Sequence, residues 1–361
     1  MSEFPEGKAI VFCEGAFGTP NGKTAHGLVR RSERYRVLSV IDSRHAGSDA
    51  GEVLDGKSVG IPVLAGLDDA LTEAGRGDCS ATHFVIGLAP DGGRLPDQAR
   101  EAVLDAIHAG LHVDSGLHDF LEEDQEIALL ARDRGVRIRD VRKPPPRSKL
   151  HFFTGRISEV GSFKVALLGT DSAVGKRTTA WSLVDELRKS GFGAELIGTG
   201  QTAWMQGARY GIVLDSLIND FVAGEIEHAI LRCWEDVRPA VMVLEGQGSL
   251  MNPAYPGGME LLAAGRPDVV VLQHAPTRKD YDGFPGHPIH PLERQIDAVR
   301  ILSGKPVVAV TVNHEGLSRA ETASECARIR ETTGLPAVDV LFEGAGAIVQ
   351  ALQPYLERTT V

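Results

Sequence analysis

The second half of the chain opens with Lys164-Val-Ala-Leu-Leu-Gly169-Thr170-Asp171-Ser172-Ala173-Val174-Gly175-Lys176-Arg177-Thr178-Thr179, the stretch that decides the fold. Its first residues are apolar without a break, as in a strand that is covered on both faces. The two glycines bound a short loop that leads into a helix predicted over 175–190. In this arrangement the loop N–H groups and the first helical turn point at an anion, and the lysine adds a positive charge. The pattern predicts a phosphate-binding loop, and every residue from Gly169 to Thr178 is a candidate for binding a phosphate-bearing cofactor.

The loop departs from the G-x-x-x-x-G-K-[ST] pattern in two ways. Gly169 lies one residue too early, and Arg177 follows Lys176 where a Ser or Thr is usual. In a nucleotide hydrolase that hydroxyl holds Mg²⁺, which stabilises charge during phosphoryl transfer. Thr178 replaces it only if the loop shifts by one residue. The sequence therefore predicts anion binding at this loop and argues against phosphoryl transfer.

Apolar runs alternate with helical stretches on both sides of the loop. In the first half the alternation extends over residues 8–142, and in the second half the runs VMVL, VVVL and VVAV are apolar throughout. Strands that alternate with helices form βαβ units and parallel sheets. The prolines at 144–146 separate the halves, because three consecutive rings fix φ and remove three N–H donors. The sequence predicts two tandem α/β domains, 1–145 and 146–361, which fits the usual ~150 residues per domain.

A glycine-containing turn follows the first predicted strand. It reads Cys13-Glu14-Gly15-Ala16-Phe17-Gly18 and resembles a dinucleotide-binding turn, although it lacks the full G-x-G-x-x-G spacing. Asp42 closes the second strand 27 residues after Gly15, near a position that can bind a ribose. Two interpretations stay open for this domain: it binds a nucleotide, or it has a structural or substrate-covering role.

Charge and composition exclude several classes of function. The chain has 38 basic and 49 acidic residues, a formal net charge of −11, so its field opposes a polyanion and we expect no nucleic-acid partner. Its four cysteines form no CxxC pair, which is typical of a reducing compartment and of neither a disulfide framework nor a zinc site. The N-terminus lacks a basic segment followed by a long apolar run, and no stretch approaches ~18 apolar residues. We expect a cytoplasmic protein without a membrane partner.

Polar residues follow the predicted strands of the second half. Ligands bind at the carboxyl ends of strands in open α/β sheets, so these residues are expected to converge on the phosphate-binding loop. Glu245, directly after VMVL, is a candidate general base with a raised pKa; it can equally be a carboxylate near a magnesium ion, or one satisfied by backbone N–H groups. His274 is a second candidate base. The other candidates are Gln201, Thr202, Gln247 and Ser249, of which the last two can bind a polar substrate or cap their loop.

A proline-rich segment, DYDGFPGHPIHPLER, covers residues 280–294 and contains His287-x-x-His290. Metal binding there needs further ligands at closing distance, and repeated prolines are typical of an ordered loop. The sequence predicts a lid or a domain-contact loop.

Three longer motifs carry a resemblance to a known family. They are GTDSAVGKRTTA (169–180), GTGQTAWMQGARYGIVLDSLINDFVAGEIEHAI (198–230) and VLEGQGSLMNPAYPGG (243–258). Over essentially its whole length the chain resembles the two-domain family, long known only as a domain of unknown function, that includes bacterial D-glutamate N-acetyltransferases. The resemblance implies an α/β protein in which a Rossmann-like N-terminal domain is followed by a P-loop NTPase-like domain. It also implies an enzyme that moves an acetyl group from acetyl-CoA to the amine of D-glutamate.

The resemblance gives the candidate residues their roles. The loop would bind the phosphates of coenzyme A through Lys176, Arg177 and its N–H groups, without a metal ion. Glu245 is expected to accept the proton of the substrate amine. The fallback bases are His274 and Asp220, the latter on a helix predicted over 214–235.

Two further requirements of acetyl transfer also have candidates. Backbone N–H groups near Gly246 or Gly248 are expected to stabilise the tetrahedral oxyanion. The acidic amino-acid substrate needs cationic anchors, and Arg209 and Arg278 are the candidates. Because α/β enzymes are commonly symmetric oligomers, we also expect a homo-oligomer.

Other functions stay open at this point. The GTDxxVGK loop and the EGxG segment are also similar to dethiobiotin synthetase, an ATP-dependent enzyme in which Thr directly follows the lysine; here Arg177 intervenes. An ATP- and Mg²⁺-dependent ligase or kinase, with Thr178, Asp215 and Glu245 around the metal, is therefore the alternative. A third hypothesis is a non-catalytic nucleotide or CoA sensor whose first domain relays occupancy to a partner.

Overall fold

The chain forms two units. The computed structural model describes residues 4–76 and 80–357. Within these residues the units are, first, the chain up to Pro144 together with Gln201–Ala208 and, second, Pro145–Gly200 together with the chain from Arg209 onward.

Three of the four cysteines, Cys13, Cys233 and Cys326, are buried free thiols. Cys79 lies outside the described part of the chain. Across residues 4–76 and 80–357, no helix combines the length and the apolar character needed to cross a bilayer.

The first unit is built on a six-stranded sheet whose described strands pair in parallel, in the order β3-β2-β1-β4-β5-β6. This is the strand order of the doubly wound, Rossmann-like fold. Helices connect the strands, as the alternation in the sequence predicts. The strands are β1 (Gly7–Phe12), β2 (Tyr35–Ile41), β3 (Val63–Leu64), β4 (His83–Ile86), β5 (His112–Ser115) and β6 (Ile138–Asp140), and the helices are α1 (Lys23–Arg30), α2 (Ala50–Asp55), α3 (Leu67–Arg76), α4 (Asp97–His108) and α5 (Gln125–Arg134).

The rest of the chain contributes a seven-stranded parallel sheet in the order β13-β12-β11-β7-β10-β8-β9. The chain passes from β7 to one side of the sheet and then returns to the other side, so the ends of β7, β10 and β11 form the crevice where ligands bind in such sheets. The strands are β7 (Phe163–Gly169), β8 (Ala194–Gly198), β9 (Tyr210–Gly211), β10 (Val241–Glu245), β11 (Val269–His274), β12 (Val307–Val312) and β13 (Ala337–Val338), and the helices are α6 (Lys176–Lys189), α7 (Gln201–Gln206), α8 (Asn219–Val237), α9 (Gly258–Gly265), α10 (Leu292–Ser303), α11 (Arg319–Thr333), α12 (Val340–Glu343) and α13 (Gly346–Leu356).

Helix α7 belongs to the first unit although its sequence lies within the second half. Gln206 donates from Nε2 to the carbonyl oxygen of Gly27 in α1 (2.7 Å). The Trp204 ring is contacted by two guanidinium groups, those of Arg34 (3.6 Å to the ring centroid) and Arg139 (4.4 Å). Cation–π contacts and a buried hydrogen bond therefore fix α7 in this unit.

The segment that follows the three prolines is held against α8. Buried Glu227 accepts hydrogen bonds from the N–H groups of Thr154 (2.6 Å) and Ile157 (2.9 Å), and Glu225 accepts one from the N–H of His151 (2.7 Å). Gly224 lies under the same segment, where an added Cβ would come within 2.0 Å of the His151 carbonyl oxygen. Only glycine permits this close approach of the backbone to the helix.

Gly224→Ala is expected to lower the free energy of unfolding by about 1–3 kcal/mol, because the new methyl group overlaps backbone atoms and the segment must move. The clash outweighs the gain of about 1 kcal/mol that alanine normally brings to a helix interior. Gly75→Ala in α3 is the matched control, since a Cβ there meets no atom within 4 Å. Urea unfolding of both variants measures the difference, and a Gly224→Ala protein as stable as the control would contradict the packing described.

Candidate functional site

The loop between β7 and α6 has the geometry that a phosphate site requires. Lys176 is only 7% exposed, and its Nζ donates to the carbonyl oxygen of Asp171 (2.7 Å). A Cβ at Gly169 would lie 2.9 Å from that Nζ, so glycine leaves the room that the lysine occupies. Gly175 has φ 97°, in the left-handed region, and places the first turn of α6 behind the loop. The loop therefore surrounds a buried cation at a helix N-terminus.

A fully buried carboxylate, that of Asp171, holds the loop together. One of its oxygens accepts hydrogen bonds from the Ser172 N–H (2.7 Å) and Asn252 Nδ2 (3.0 Å). The other accepts from Arg278 Nη1 (3.0 Å) and the Asp282 N–H (2.9 Å). With four donors converging on it, this side chain shapes the loop, and the sequence pattern gave no sign of that role.

Arg278 holds the loop through several hydrogen bonds. Its Nη1 donates to Asp171 and to the Ser172 carbonyl oxygen (2.8 Å), and its Nη2 donates to the Ala173 carbonyl oxygen (3.3 Å). Nε and Nη2 also donate to the carboxylate of Glu315 (3.0 and 2.8 Å). All five guanidinium N–H groups are thus used within the protein. Its role as an anchor for an anionic substrate stays a prediction.

Residues at the ends of the neighbouring strands also form hydrogen bonds with the loop. The Thr170 N–H donates to the Gln273 carbonyl oxygen (2.9 Å), and Thr170 Oγ1 is hydrogen-bonded to His274 Nδ1 (3.0 Å). Asn313, which follows β12, donates from Nδ2 to the Val174 carbonyl oxygen (2.9 Å). The ends of β11 and β12 therefore fix both ends of the loop.

Glu245 closes β10, the strand beside β7, and is 8% exposed. Burial raises the pKa of its carboxyl group, opposed by the charges of Arg177 and Lys176 and by the Thr199 N–H (3.4 Å). Burial also lowers the pKa of Lys176 to about 8, against the pull of Glu245 and Asp171. A carboxylate with a raised pKa and a lysine with a lowered pKa thus influence each other's protonation at the loop.

His274 is mostly neutral at pH 7, because burial lowers its pKa to about 4. Its Nδ1 is already hydrogen-bonded to Thr170.

Asp220 is exposed in the first turn of α8. This helix begins at Asn219 rather than at residue 214, because Leu214–Ser216 forms a separate 3₁₀ turn.

The predicted polar side chains of the loop after β10 form hydrogen bonds to other groups of the protein. Gln247 donates from Nε2 to the Thr199 carbonyl oxygen (2.7 Å). Ser249 Oγ accepts the Asn252 N–H (3.1 Å), and Asn252 in turn holds Asp171. These contacts match the loop-capping interpretation of Gln247 and Ser249; substrate binding by either residue stays a prediction.

The two glycines expected near an oxyanion differ in their surroundings. The Gly246 N–H donates to the Leu167 carbonyl oxygen (2.9 Å) within the sheet, so the expectation that it receives an oxyanion is wrong. Gly248 has φ 52°, and a Cβ there would lie 1.8 Å from the Tyr255 carbonyl oxygen. Of the two, Gly248 remains a candidate.

Four other predicted site residues lie in the chain between β8 and α8. Gln201 and Thr202 are buried in α7 of the first unit, where Thr202 Oγ1 is hydrogen-bonded to Thr24 Oγ1 (3.0 Å). Arg209 and Asp215 are exposed in the second unit. Roles for these four residues in ligand binding stay predictions.

The turn after β1 is fixed by Asp42, which is fully buried. Its carboxylate accepts hydrogen bonds from the N–H groups of Phe17 (2.9 Å), Arg44 (3.0 Å) and Gly15 (3.4 Å). These contacts favour the structural interpretation of this turn over ribose binding, because the oxygens are already used by the backbone.

The proline-rich segment after β11 packs on the phosphate-binding loop. Ser172 Oγ donates to Asp282 (3.2 Å), whose own N–H reaches Asp171. Tyr281 Oη is hydrogen-bonded to His290 Nδ1 (2.9 Å), so this histidine supports the segment. Over residues 4–76 and 80–357, no three His, Cys, Asp or Glu side chains are grouped so that they could hold a metal ion.

Fold and loop together define a protein with a Rossmann-like domain and a P-loop domain. Residues 43–144 match the family model described as DUF1611_N, a Rossmann-like domain of unknown function, and residues 151–349 match DUF1611_C, its P-loop domain. The chain belongs to the DUF1611 family, which confirms the resemblance and the fold class.

Relatives of known name or structure span most of the chain. A protein of Tritonibacter scottomollicae named D-glutamate N-acetyltransferase is 32% identical over 293 residues, 80% of this chain and 85% of the relative. A protein of the same name from a Pseudoalteromonas species is 30% identical over 305 residues, 81% and 87% of the two chains. The crystal structure of a DUF1611 family protein from Anabaena variabilis superposes with a TM-score of 0.87 at 28% identity, covering 97% of this chain and all of that one.

Two substitutions distinguish the buried from the exposed partner of Arg278. Asp171→Ala is expected to lower the free energy of unfolding by about 3–5 kcal/mol, because it leaves buried donors and a guanidinium without their acceptor. Glu315→Ala removes a partner that is 52% exposed and should cost at most about 1 kcal/mol. Chemical unfolding measures both, and equal losses would contradict the central role of Asp171.

Proposed function

We propose that this protein transfers an acetyl group from acetyl-CoA to the amine of D-glutamate. The relatives that carry this activity in their name support the reaction, and one observation supports the mechanism. A loop that can bind phosphate lies beside Glu245, a buried carboxylate whose pKa is raised. Such a carboxylate is suited to take a proton from an ammonium group near neutral pH.

The donor would be held by its phosphates. The N-terminal turn of α6 and the loop N–H groups provide donors and a partial positive charge, and Lys176 provides a full one. Arg177 stands where a hydroxyl would hold Mg²⁺, and the electrostatic influence of its guanidinium on Glu245 places positive charge near the same loop. Because hydrogen bonds within the protein, such as that between Asp171 and Arg278, fix the loop, little ordering is needed on binding.

The chemical step requires a neutral amine. Glu245 takes one proton from the substrate ammonium, and the amine nitrogen then attacks the thioester carbonyl carbon. The resulting tetrahedral intermediate loses a second proton from nitrogen and breaks its carbon–sulfur bond. The released coenzyme A thiolate takes up this second proton, and Glu245 returns the first one to solvent. The products are N-acetyl-D-glutamate and coenzyme A.

Glu245 fits the base role better than its two alternatives. Asp220 is exposed to solvent in the first turn of α8 and lacks the buried surroundings of Glu245. His274 has a pKa of about 4 and so has little affinity for a proton at pH 7, and Thr170 already engages its Nδ1. Of the three candidates, Glu245 alone combines burial with a raised pKa.

The wild-type protein is expected to release coenzyme A from acetyl-CoA when D-glutamate is added, without Mg²⁺. Glu245→Gln should lower kcat by about 10²- to 10⁴-fold with little change in either KM, since it removes the general base but not the binding contacts. Thiol release and mass spectrometry of the acetylated product provide the measurement.

Controls separate this reaction from the alternatives. Glu331→Gln, an exposed residue of α11, should keep full kcat. A Glu245→Gln enzyme with wild-type kcat would remove Glu245 from the base role, and a loss confined to Asp220→Asn or His274→Gln would identify the base instead. Consumption of ATP that depends on Mg²⁺, with no acetyl transfer, would favour the ligase or kinase.

Donor binding should weaken above pH 8. In the free protein Lys176 has a pKa lowered to about 8 by burial, so it is charged below this pH and becomes neutral above it. Bound phosphates favour the charged form, so binding of acetyl-CoA at pH 9 should take up close to one proton per site, and hardly any at pH 7. Calorimetric titration in two buffers of different ionisation enthalpy measures this uptake.

Lys176→Met is the control for that experiment. The variant should bind acetyl-CoA more weakly at both pH values and show no extra proton uptake at pH 9. Equal uptake by the variant and the wild type would assign the titrating group to another residue, and unchanged donor affinity in the variant would remove the lysine from the phosphate site.

A further inference from the structure

An aromatic pair follows the ends of β12 and β13 and has no part in the mechanism above. It consists of His314, two residues after β12, and Phe342, in α12 after β13. Their rings are stacked, with centroids 4.2 Å apart and an interplanar angle of 13°. His314 Nδ1 is hydrogen-bonded to Asp339 (2.7 Å), and 30% of the His314 side chain is exposed. A flat ring is thus held in a fixed orientation at the ligand-binding edge of the sheet.

Both chain neighbours of His314 connect it to the loop. Asn313 donates from its side chain to the Val174 carbonyl oxygen (2.9 Å). Glu315 accepts hydrogen bonds from Arg278, which itself holds the loop. Consecutive Cα atoms are ~3.8 Å apart, so the aromatic pair begins one residue away from a direct contact with the loop.

The two sides of β7 differ in chemistry. Toward β10, polar Glu245 ends the strand and polar Gln247 follows it. Toward β12 and β13, the aromatic pair accompanies the polar residues Asn313 and Glu315. A ligand with a reactive acyl group at one end and a planar base at the other, joined through phosphates, matches this division when its phosphates occupy the loop.

We propose that the adenine ring of the acyl-CoA donor stacks on the exposed part of His314, supported from behind by Phe342. This assignment rests on the proposed function, which supplies coenzyme A as the ligand. Aromatic side chains, histidine included, bind nucleic-acid bases by stacking, and the interaction tolerates different base edges. His314 and Phe342 therefore become affinity determinants for the donor, separate from Lys176 and from Glu245.

The test compares two acetyl donors that differ only in the nucleotide. Acetyl-CoA contains adenine, and S-acetyl-4′-phosphopantetheine does not. His314→Ala should raise the KM for acetyl-CoA about tenfold, in the range that stacking of one base provides, and leave kcat and the KM for the truncated donor unchanged. His314→Phe keeps a ring and loses the bond to Asp339, so it should retain most of the affinity for acetyl-CoA.

These variants separate stacking from a structural role. Equal effects of His314→Ala on both donors, or equal effects of the Ala and Phe variants on acetyl-CoA, would overturn the proposal and assign His314 to supporting Asp339. Ile301→Ala, at a residue of α10 that is 77% exposed, is the control for a change of apolar surface and should alter neither KM.

A direct binding measurement tests the adenine site independently of acetyl transfer to D-glutamate. Calorimetric titration with adenosine 3′,5′-bisphosphate needs no acetyl transfer. If the wild type proves inactive toward D-glutamate, a loss of affinity of about tenfold in His314→Ala still supports the adenine site. Unchanged affinity in that variant, or no binding by the wild type, overturns it, even if acetyl transfer to D-glutamate is observed.

Discussion

The carboxylate of Asp171 has no contact with solvent, and four donors from three separate segments converge on it. A buried charge of this kind is tolerated only when it is fully hydrogen-bonded. The loop after β10 and the segment after β11 must both be in place before that condition is met. The shape of the phosphate-binding loop is therefore a property of the folded second unit rather than of the glycine pattern alone.

Burial moves two groups of the site in opposite directions. It raises the pKa of Glu245 and lowers the pKa of Lys176 to about 8. Each group favours the charged form of the other, which limits both shifts. A phosphate bound at Lys176 would stabilise the charged form of the lysine. That charge would in turn lower the pKa of Glu245. Occupancy of the proposed donor site and the pKa of the carboxylate would thus be linked through the charge of Lys176.

The regular elements of the P-loop domain could be predicted because their patterns are local. The helix predicted over 175–190 is observed as α6, Lys176–Lys189, since the glycine before it and the apolar positions within it are read directly from the chain. The residues that hold the loop could not be found this way. Asn252, Asp282 and Asn313 come from three different loops, and only the packing of β10, β11 and β12 around β7 brings them to it. The same holds for α7, whose residue Gln206 bonds to Gly27, almost half the chain away.

The placement of α7 makes the first unit discontinuous along the chain. Met205 is fully buried and belongs to the same hydrophobic core as β1 and α1, although about sixty residues separate it from the prolines that end the first sequence half. During synthesis the N-terminal sheet can form early, but its core stays incomplete until the ribosome has released residues 201–208. The prolines therefore end the N-terminal stretch of the first unit, and α7 adds the last part of its core from farther along the chain.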